Sequence, residues 1–207
     1  ELSGLKPGKC EQIIDFFATH TDQVPTDEEK EKIDFEAFAQ TIKSLDADVI
    51  GLNEVHGEGE LEEYTEQAKI LGEKIGYNYF FAKATELDDG KNPFGNAVLT
   101  RLPVKEFSVI PIPDPENPTG SYWYETRCIL KMVTDTEPQA TFLITHFGLN
   151  DDEQVNAIET FCDTVLDEKC IFMGDLNVRP DSPVLDPIRK VMNDTASASG
   201  EKLLSFP

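Results

Sequence analysis

The chain has 207 residues, 39% hydrophobic and 28% charged, which suits one globular domain with a substantial core. Its 40 acidic and 18 basic residues give a formal charge of −22, and no Lys/Arg cluster interrupts that surface, which disfavours a protein that tracks a nucleic-acid backbone. No apolar run approaches the length of a membrane span and no signal-peptide pattern opens the chain, although the first residue is Glu rather than Met.

Taken in order, residues 9–20 carry Ile13, Ile14, Phe16 and Phe17 and predict a short helix. Thr26-Asp27-Glu28-Glu29 offers a capping box for a second helix with a buried stripe of Ile33, Phe35, Phe38, Ile42 and Leu45. The acidic residues between Asp22 and Glu36 form its solvated face. Asp48 to Val55 reads as a buried strand with Glu54 at its end, where an apolar run has no need of a carboxylate. His56, just beyond, is read as a solvated loop histidine and stays outside the site. Gly57-Glu58-Gly59-Glu60 is a loop, Leu61 to Ile75 an amphipathic helix closed by Gly76, and Tyr77 to Ala82 the next strand.

Thr85 to Pro93 reads as a polar loop, followed by strands at Gly95–Thr100, Val104–Ile110, Tyr124–Val133 and Ala140–His146. The segment Pro111 to Pro118 is too proline-rich for a central strand and reads as an exposed loop. The aromatics Tyr122, Trp123 and Tyr124 either stack on a substrate ring or pack on a sheet edge, and packing is the expectation. Asp151 to Leu166 predicts a helix whose inner face carries Val155, Ile158, Phe161, Cys162 and Val165. A short helix around Val184 to Met192, a flexible connector at 197–200 and the start of an ordered segment at Leu203–Pro207 complete the chain. Cys10, Cys128, Cys162 and Cys170 form no C-x-x-C pair and read as free thiols, which leans towards a reducing, cytoplasmic setting. A secreted protein whose leader precedes residue 1 is the alternative.

The chemistry concentrates at strand ends. Cys170-Ile171-Phe172-Met173 is a short apolar strand, and Gly174-Asp175-Leu176-Asn177 follows as the backbone turns away, with Asp175 and Asn177 facing one pocket. Gly-Asp-x-Asn is also an ordinary turn composition, and alone it favours that reading. Glu54 and His146, each closing another apolar strand, supply the company that shifts the balance, because layered α/β folds gather functional residues where strands end.

Gly51-Leu52-Asn53-Glu54-Val55, Gly95-Asn96-Ala97-Val98-Leu99-Thr100-Arg101, Glu125-Thr126-Arg127, Thr145-His146 and Gly174-Asp175-Leu176-Asn177 resemble, in order, five segments of the endonuclease/exonuclease/phosphatase superfamily. The resemblance runs from about Asp48 to Pro207. It implies an α/β fold, a four-layer αββα sandwich of two packed mixed sheets with outer helices, as a single domain over 1–207. It also implies a metal-dependent hydrolase of phosphate esters, with Glu54 as ligand to Mg2+, or to Mn2+ as the alternative ion. His146 would donate to the phosphate, Asp175 would hold the attacking water and Asn177 would orient it. Arg127 would contact phosphate or brace the cleft by pairing with a carboxylate, and Asn96 would support substrate binding.

The departures are specific. Family members open with a strand ending in a metal-binding Asn and close with further strands and a Ser-Asp-His segment, and neither pattern occurs here. The expectation is therefore a domain without its first and C-terminal strands, either part of a longer enzyme or a protein that has lost machinery. The expected partner is a small or lipid-like phosphate ester, with no strong sign of nucleic acid and no transmembrane segment. A nuclease on the same scaffold and a non-catalytic binding protein are the competing readings. Neither the substrate nor the oligomeric state is written in the sequence.

Overall fold

In the computed structural model, residues 33–60, 65–165, 169–195 and 198 are described. The expected helix at 9–20, the Thr26 capping box, Cys10, most of the 197–200 connector and the 203–207 segment lie outside them.

Helix α1 (Phe35–Leu45) starts where the Asp34 carboxylate accepts from the backbone N–H groups of Glu36 and Ala37, at 3.1 and 3.0 Å. Ile33 consequently precedes the helix and is exposed, while Ala39 and Ile42 carry the buried stripe. Strand β1 (Val49–His56) follows. Helix α2 (Gln67–Ile75) is shorter than the expected Leu61–Ile75, and residues 61–64 are not described. It ends as expected at Gly76, in the left-handed conformation that a glycine accepts without a Cβ penalty.

The predicted polar loop 85–93 is instead mostly strand. Strands β2 (Asn78–Leu87) and β3 (Asn92–Thr100) form a long antiparallel hairpin, because Asp88, Asp89 and Gly90 all take positive φ and confine the reversal to a few residues. The first sheet has the order β1-β3-β2 and is antiparallel throughout. The second contains β4 (Val104–Pro111), β5 (Cys128–Thr134), β6 (Thr141–His146) and β7 (Cys170–Asp175) in chain order. Its β6–β7 pair is parallel and is connected through helix α3 (Asp151–Val165), which makes this sheet mixed.

Strand β5 begins four residues later than predicted. Glu125 directs its backbone N–H to the Glu153 carboxylate at 3.3 Å, so Tyr124 to Thr126 lie off the ladder. Helix α3 also corrects the expected inner face: Val155 is 43% exposed, whereas Ala157, Ile158 and Phe161 are buried. Gln154 holds the inward position one turn earlier, with its amide bonded to the carbonyls of Gly148 and Asn177 at 3.2 and 3.3 Å. A short turn (Pro183–Leu185) and helix α4 (Asp186–Val191) follow β7.

Three apolar clusters define the layers. Helices α1 and α2 cover the first sheet through Ala39, Ile42, Ala68 and Leu71. Ala82 and Val98 of that sheet meet Leu130, Met132 and Ile144 of the second between the sheets. Helices α3 and α4 cover the far face of the second sheet through Ile158, Phe161 and Ile188. The order is therefore α/β/β/α, as expected.

Gly174 lies inside β7 rather than at the turn, and its role is close approach: a Cβ there would collide with the Thr145 carbonyl of β6. Gly174→Ala is expected to cost about 3 kcal/mol or more, since backbone must shift. Gly76→Ala, with open space around its Cβ position, is expected to cost only about 1 to 2 kcal/mol for the left-handed conformation. Urea unfolding of both variants measures the difference.

Candidate active site

The sandwich brings one end of β1 against the ends of β6 and β7. Asn53, 4% exposed, is the joint. Its Oδ1 accepts from the Asp175 backbone N–H at 3.0 Å, and its Nδ2 donates to the Thr145 carbonyl at 2.9 Å and to Asn96 Oδ1 at 2.7 Å. Asn96 in turn donates to the Cys128 carbonyl at 3.1 Å, and Thr145 Oγ1 donates to the same oxygen at 3.1 Å. Asn96 is thus buried and committed to holding Asn53, not presented to solvent as a substrate contact.

Glu54 follows Asn53 directly. Strand β1 continues to His56, so Glu54 stands within the strand, at an irregularity in its pairing with β3 between Leu52 and Val55. Its φ of 56° is left-handed, a conformation that costs a non-glycine residue about 1 to 2 kcal/mol. Bulges of this kind re-aim a side chain out of the regular alternation and are frequent beside active sites.

His146 and Asp175 end their parallel strands as direct register partners. Asp175 Oδ1 accepts the backbone N–H of Asn177 at 2.9 Å, and Asn177 has a φ of 50°. The Gly-Asp-x-Asn segment is therefore a genuine Asx turn, and that turn aims the Asn177 carboxamide back at β6. Asn177 Nδ2 donates to the Phe147 carbonyl at 2.8 Å and stands 3.1 Å from His146 Nε2. The turn and the site are the same object.

On the other edge of the imidazole, Arg127 Nη1 lies 2.9 Å from His146 Nδ1 and 2.7 Å from the Glu125 carboxylate. A guanidinium only donates, so Nδ1 accepts and the proton of the neutral ring sits on Nε2. Burial, then the Arg127 charge, lower the His146 pKa from 6.5 to about 4, against a smaller opposing pull from Asp175. The ring is neutral at physiological pH. Burial likewise raises the Glu125 carboxyl above its ordinary range, partly opposed by Arg127 and reinforced by Glu153. Arg127 Nε is buried without a hydrogen-bond partner. Of the two roles open to Arg127 from sequence, bracing by a carboxylate is the one its contacts display.

Glu54 and Asp175 offer carboxylate oxygens, the chemistry a hard divalent cation prefers. Among the described residues no three His, Cys, Asp or Glu side chains converge as a closed cage. One or two carboxylates completed by water and substrate oxygens suit a hard divalent cation.

Sequence reasoning passed over Asn53, Glu125 and Glu153 as working residues. Asn53 carried a signal, a polar residue inside an apolar strand. Glu153 carried one in its capping-box spacing from Asn150, and it is buried and accepts from Asn150 N–H at 3.1 Å, Asn150 Nδ2 at 2.7 Å and Glu125 N–H.

Three solved structures share this architecture. The chain is 21% identical to an endonuclease/exonuclease/phosphatase from Beutenbergia cavernae DSM 12333 (TM-score 0.57; 76% of this chain and 47% of that one). It is 21% identical to a family protein from Leptotrichia buccalis C-1013-b (TM-score 0.60; 78% and 67%). It is 19% identical to ANGEL2, a 2′,3′-cyclic phosphatase (TM-score 0.58; 75% and 46%). The chain thus spans about half the length of the first and third of these proteins. No curated protein sequence matches it. The model of the Endonuclease/Exonuclease/phosphatase family matches residues 15–204, nearly the whole sequence, and with the sandwich and its ordered segments it establishes that the chain belongs to that family.

Proposed function

We propose that the domain is a divalent-metal-dependent phosphoric ester hydrolase, with Mg2+ as the working ion and a small phosphate ester as substrate. The observation that carries this reading is the pair of donors at Asn177 Nδ2 and His146 Nε2. They stand 3.1 Å apart, and with Nδ1 accepting from Arg127 the tautomer places a hydrogen on Nε2 as well as on Nδ2. An anionic oxygen in front of the pair, at hydrogen-bond distance from each, would accept from both. Preorganised donors aimed where negative charge develops are the largest single contribution many active sites make.

The residue roles follow from the contacts. Arg127 holds the imidazole in the tautomer that donates from Nε2, and the low basicity of the ring keeps it a neutral donor instead of a competing cation. The Asp175 carboxylate, anchored through one oxygen to the Asn177 N–H, has its other oxygen available to orient water and take its proton. Glu54 is the residue that would hold the cation. When bound, such an ion supplies charge neutralisation at the phosphoryl oxygens. Family membership supports the reading, since these proteins are generally hydrolases of phosphate esters, and a 2′,3′-cyclic phosphatase is among the structural neighbours. The net charge of −22 favours a small ester over a polynucleotide.

Steady-state hydrolysis of bis(p-nitrophenyl) phosphate with saturating Mg2+ tests the proposal; absence of turnover with both Mg2+ and Mn2+ would overturn it. Asp175→Asn preserves the Asx turn, because Oδ1 can still accept, but removes the charge and the base. It is expected to lower kcat about a hundred- to ten-thousand-fold with little change in KM or melting temperature. Glu54→Gln is expected to weaken Mg2+ binding at least about tenfold in a calorimetric titration, in line with loss of a charged ligand, while the melting curve is unchanged.

The lowered His146 pKa also predicts a pH signature. The unfolded chain takes up this proton as pH falls below 6.5 and the folded one only near about 4, so stability is full above that window and lost as pH falls through it. Between pH 7 and 5 the loss attributable to this ring is about 2 kcal/mol. His146→Gln should flatten the unfolding free energy by that amount relative to the parent across the same range.

A further inference from the structure

Tyr122 and Trp123 are 64% and 80% exposed, which overturns their expected packing on a sheet edge. Their backbone is nevertheless held on both sides. The Tyr122 N–H donates to Asn150 Oδ1 at 2.9 Å and its carbonyl accepts from Asn150 Nδ2 at 3.2 Å. The Tyr124 hydroxyl donates to the Asp152 carboxylate at 2.8 Å and accepts from the Gly120 N–H at 2.6 Å. The Thr119 N–H reaches the same carboxylate at 2.9 Å. A Cβ on Gly120 would run into the Asn150 side chain, so the loop lies flush on its support. Rings of this size usually bury most of their area, and here a fixed backbone holds two of them out in water.

Their position relative to the donor pair is fixed by short chain. Trp123 is four residues before Arg127, whose guanidinium touches His146. Asn150, which grips Tyr122, is four residues after His146. Four residues span at most about 14 Å, a bound on the backbone distances Trp123–Arg127 and His146–Asn150 that is compatible with one mononucleotide-sized ester meeting both the donor pair and the rings. Two rings, even with exposed Leu149 counted beside them, fall well short of the roughly 800 Å² per partner that a stable protein interface buries.

We propose that Trp123, with Tyr122, is a stacking platform for a planar ring carried by the substrate, making ring-bearing phosphate esters the preferred class. The assignment rests on the phosphoesterase reading, but its first test does not. Trp123 is the only tryptophan of the chain, so its emission reports the platform directly. Titration of the full chain with adenosine 5′-monophosphate is expected to quench that emission saturably, and glycerol 1-phosphate is expected to leave it unchanged.

The second test compares two diesters with the same leaving group, thymidine 5′-(p-nitrophenyl phosphate) and methyl p-nitrophenyl phosphate. Trp123→Ala should lower kcat/KM for the first about five- to 150-fold and for the second under about threefold, with Trp123→Phe restoring most of the loss. Melting curves guard against unfolding. No saturable quenching, or an equal loss on both diesters, overturns the platform. Emission that shifts with protein concentration instead of nucleotide also overturns it, in favour of a contact between copies. Quenching without hydrolysis of either diester leaves the ring site standing and sinks the hydrolase; hydrolysis of both without quenching does the reverse.

Discussion

The buried carboxamide of Asn53, backed by that of Asn96, ties the two sheets together beside the candidate site. Its oxygen takes the N–H of Asp175 from one sheet, and its nitrogen donates to Thr145 in that sheet and to Asn96 in its own. Apolar contact between sheets is non-directional and tolerates small slides, whereas hydrogen bonds of this kind fix position to within fractions of an ångström. Each bond contributes about 1 kcal/mol net, but leaving the partners unpaired in the dry interior would cost about 1 to 3 kcal/mol apiece. The register of β1 over β6 and β7 is thus set by polar satisfaction, and Glu54, one residue on, inherits its place from it.

The same economy runs through the imidazole cluster. Arg127 is held by a half-buried Glu125, Glu125 hangs by its backbone from Glu153, and Glu153 gathers the start of α3. Burial is the main reason the histidine stays neutral beside an aspartate, and the Arg127 charge adds to it against the smaller pull of Asp175.

Much of this was legible in the sequence, for identifiable reasons. The core of Thr141–His146 announced itself because burial on both faces demands continuous apolar residues, and the half-buried Cys170–Met173 showed the same apolar run. The ordered segments around Glu54, His146 and Asp175 then pointed to the cleft. What misled was chemistry that acts through space. Thr85 to Pro93 looks like loop because its residues are polar, but two hairpin strands can carry polar residues outward once a tight Asp-Asp-Gly reversal joins them. Tyr124 to Thr126 looks like strand, and contacts to residues distant in sequence, the Glu153 carboxylate among them, hold it off the ladder. Asn53 was visible, but its three partners are separated from it by 43 to 122 residues, and no local pattern encodes them.

The backbone N–H of Ile112 donates to the Arg127 carbonyl at 3.0 Å, extending the β4–β5 ladder by one rung and closing the intervening loop at its base. That rung separates two tasks. The ladder, with Glu125 and Arg127 beside it, positions His146 and Asp175, while residues 113–124 form a cassette whose outer tip faces solvent. Changes of sequence or length in such a cassette need not disturb the strands that bear the reactive groups. Under the proposed ring platform, exchanging the cassette would alter which ester is held while the strands stay in place.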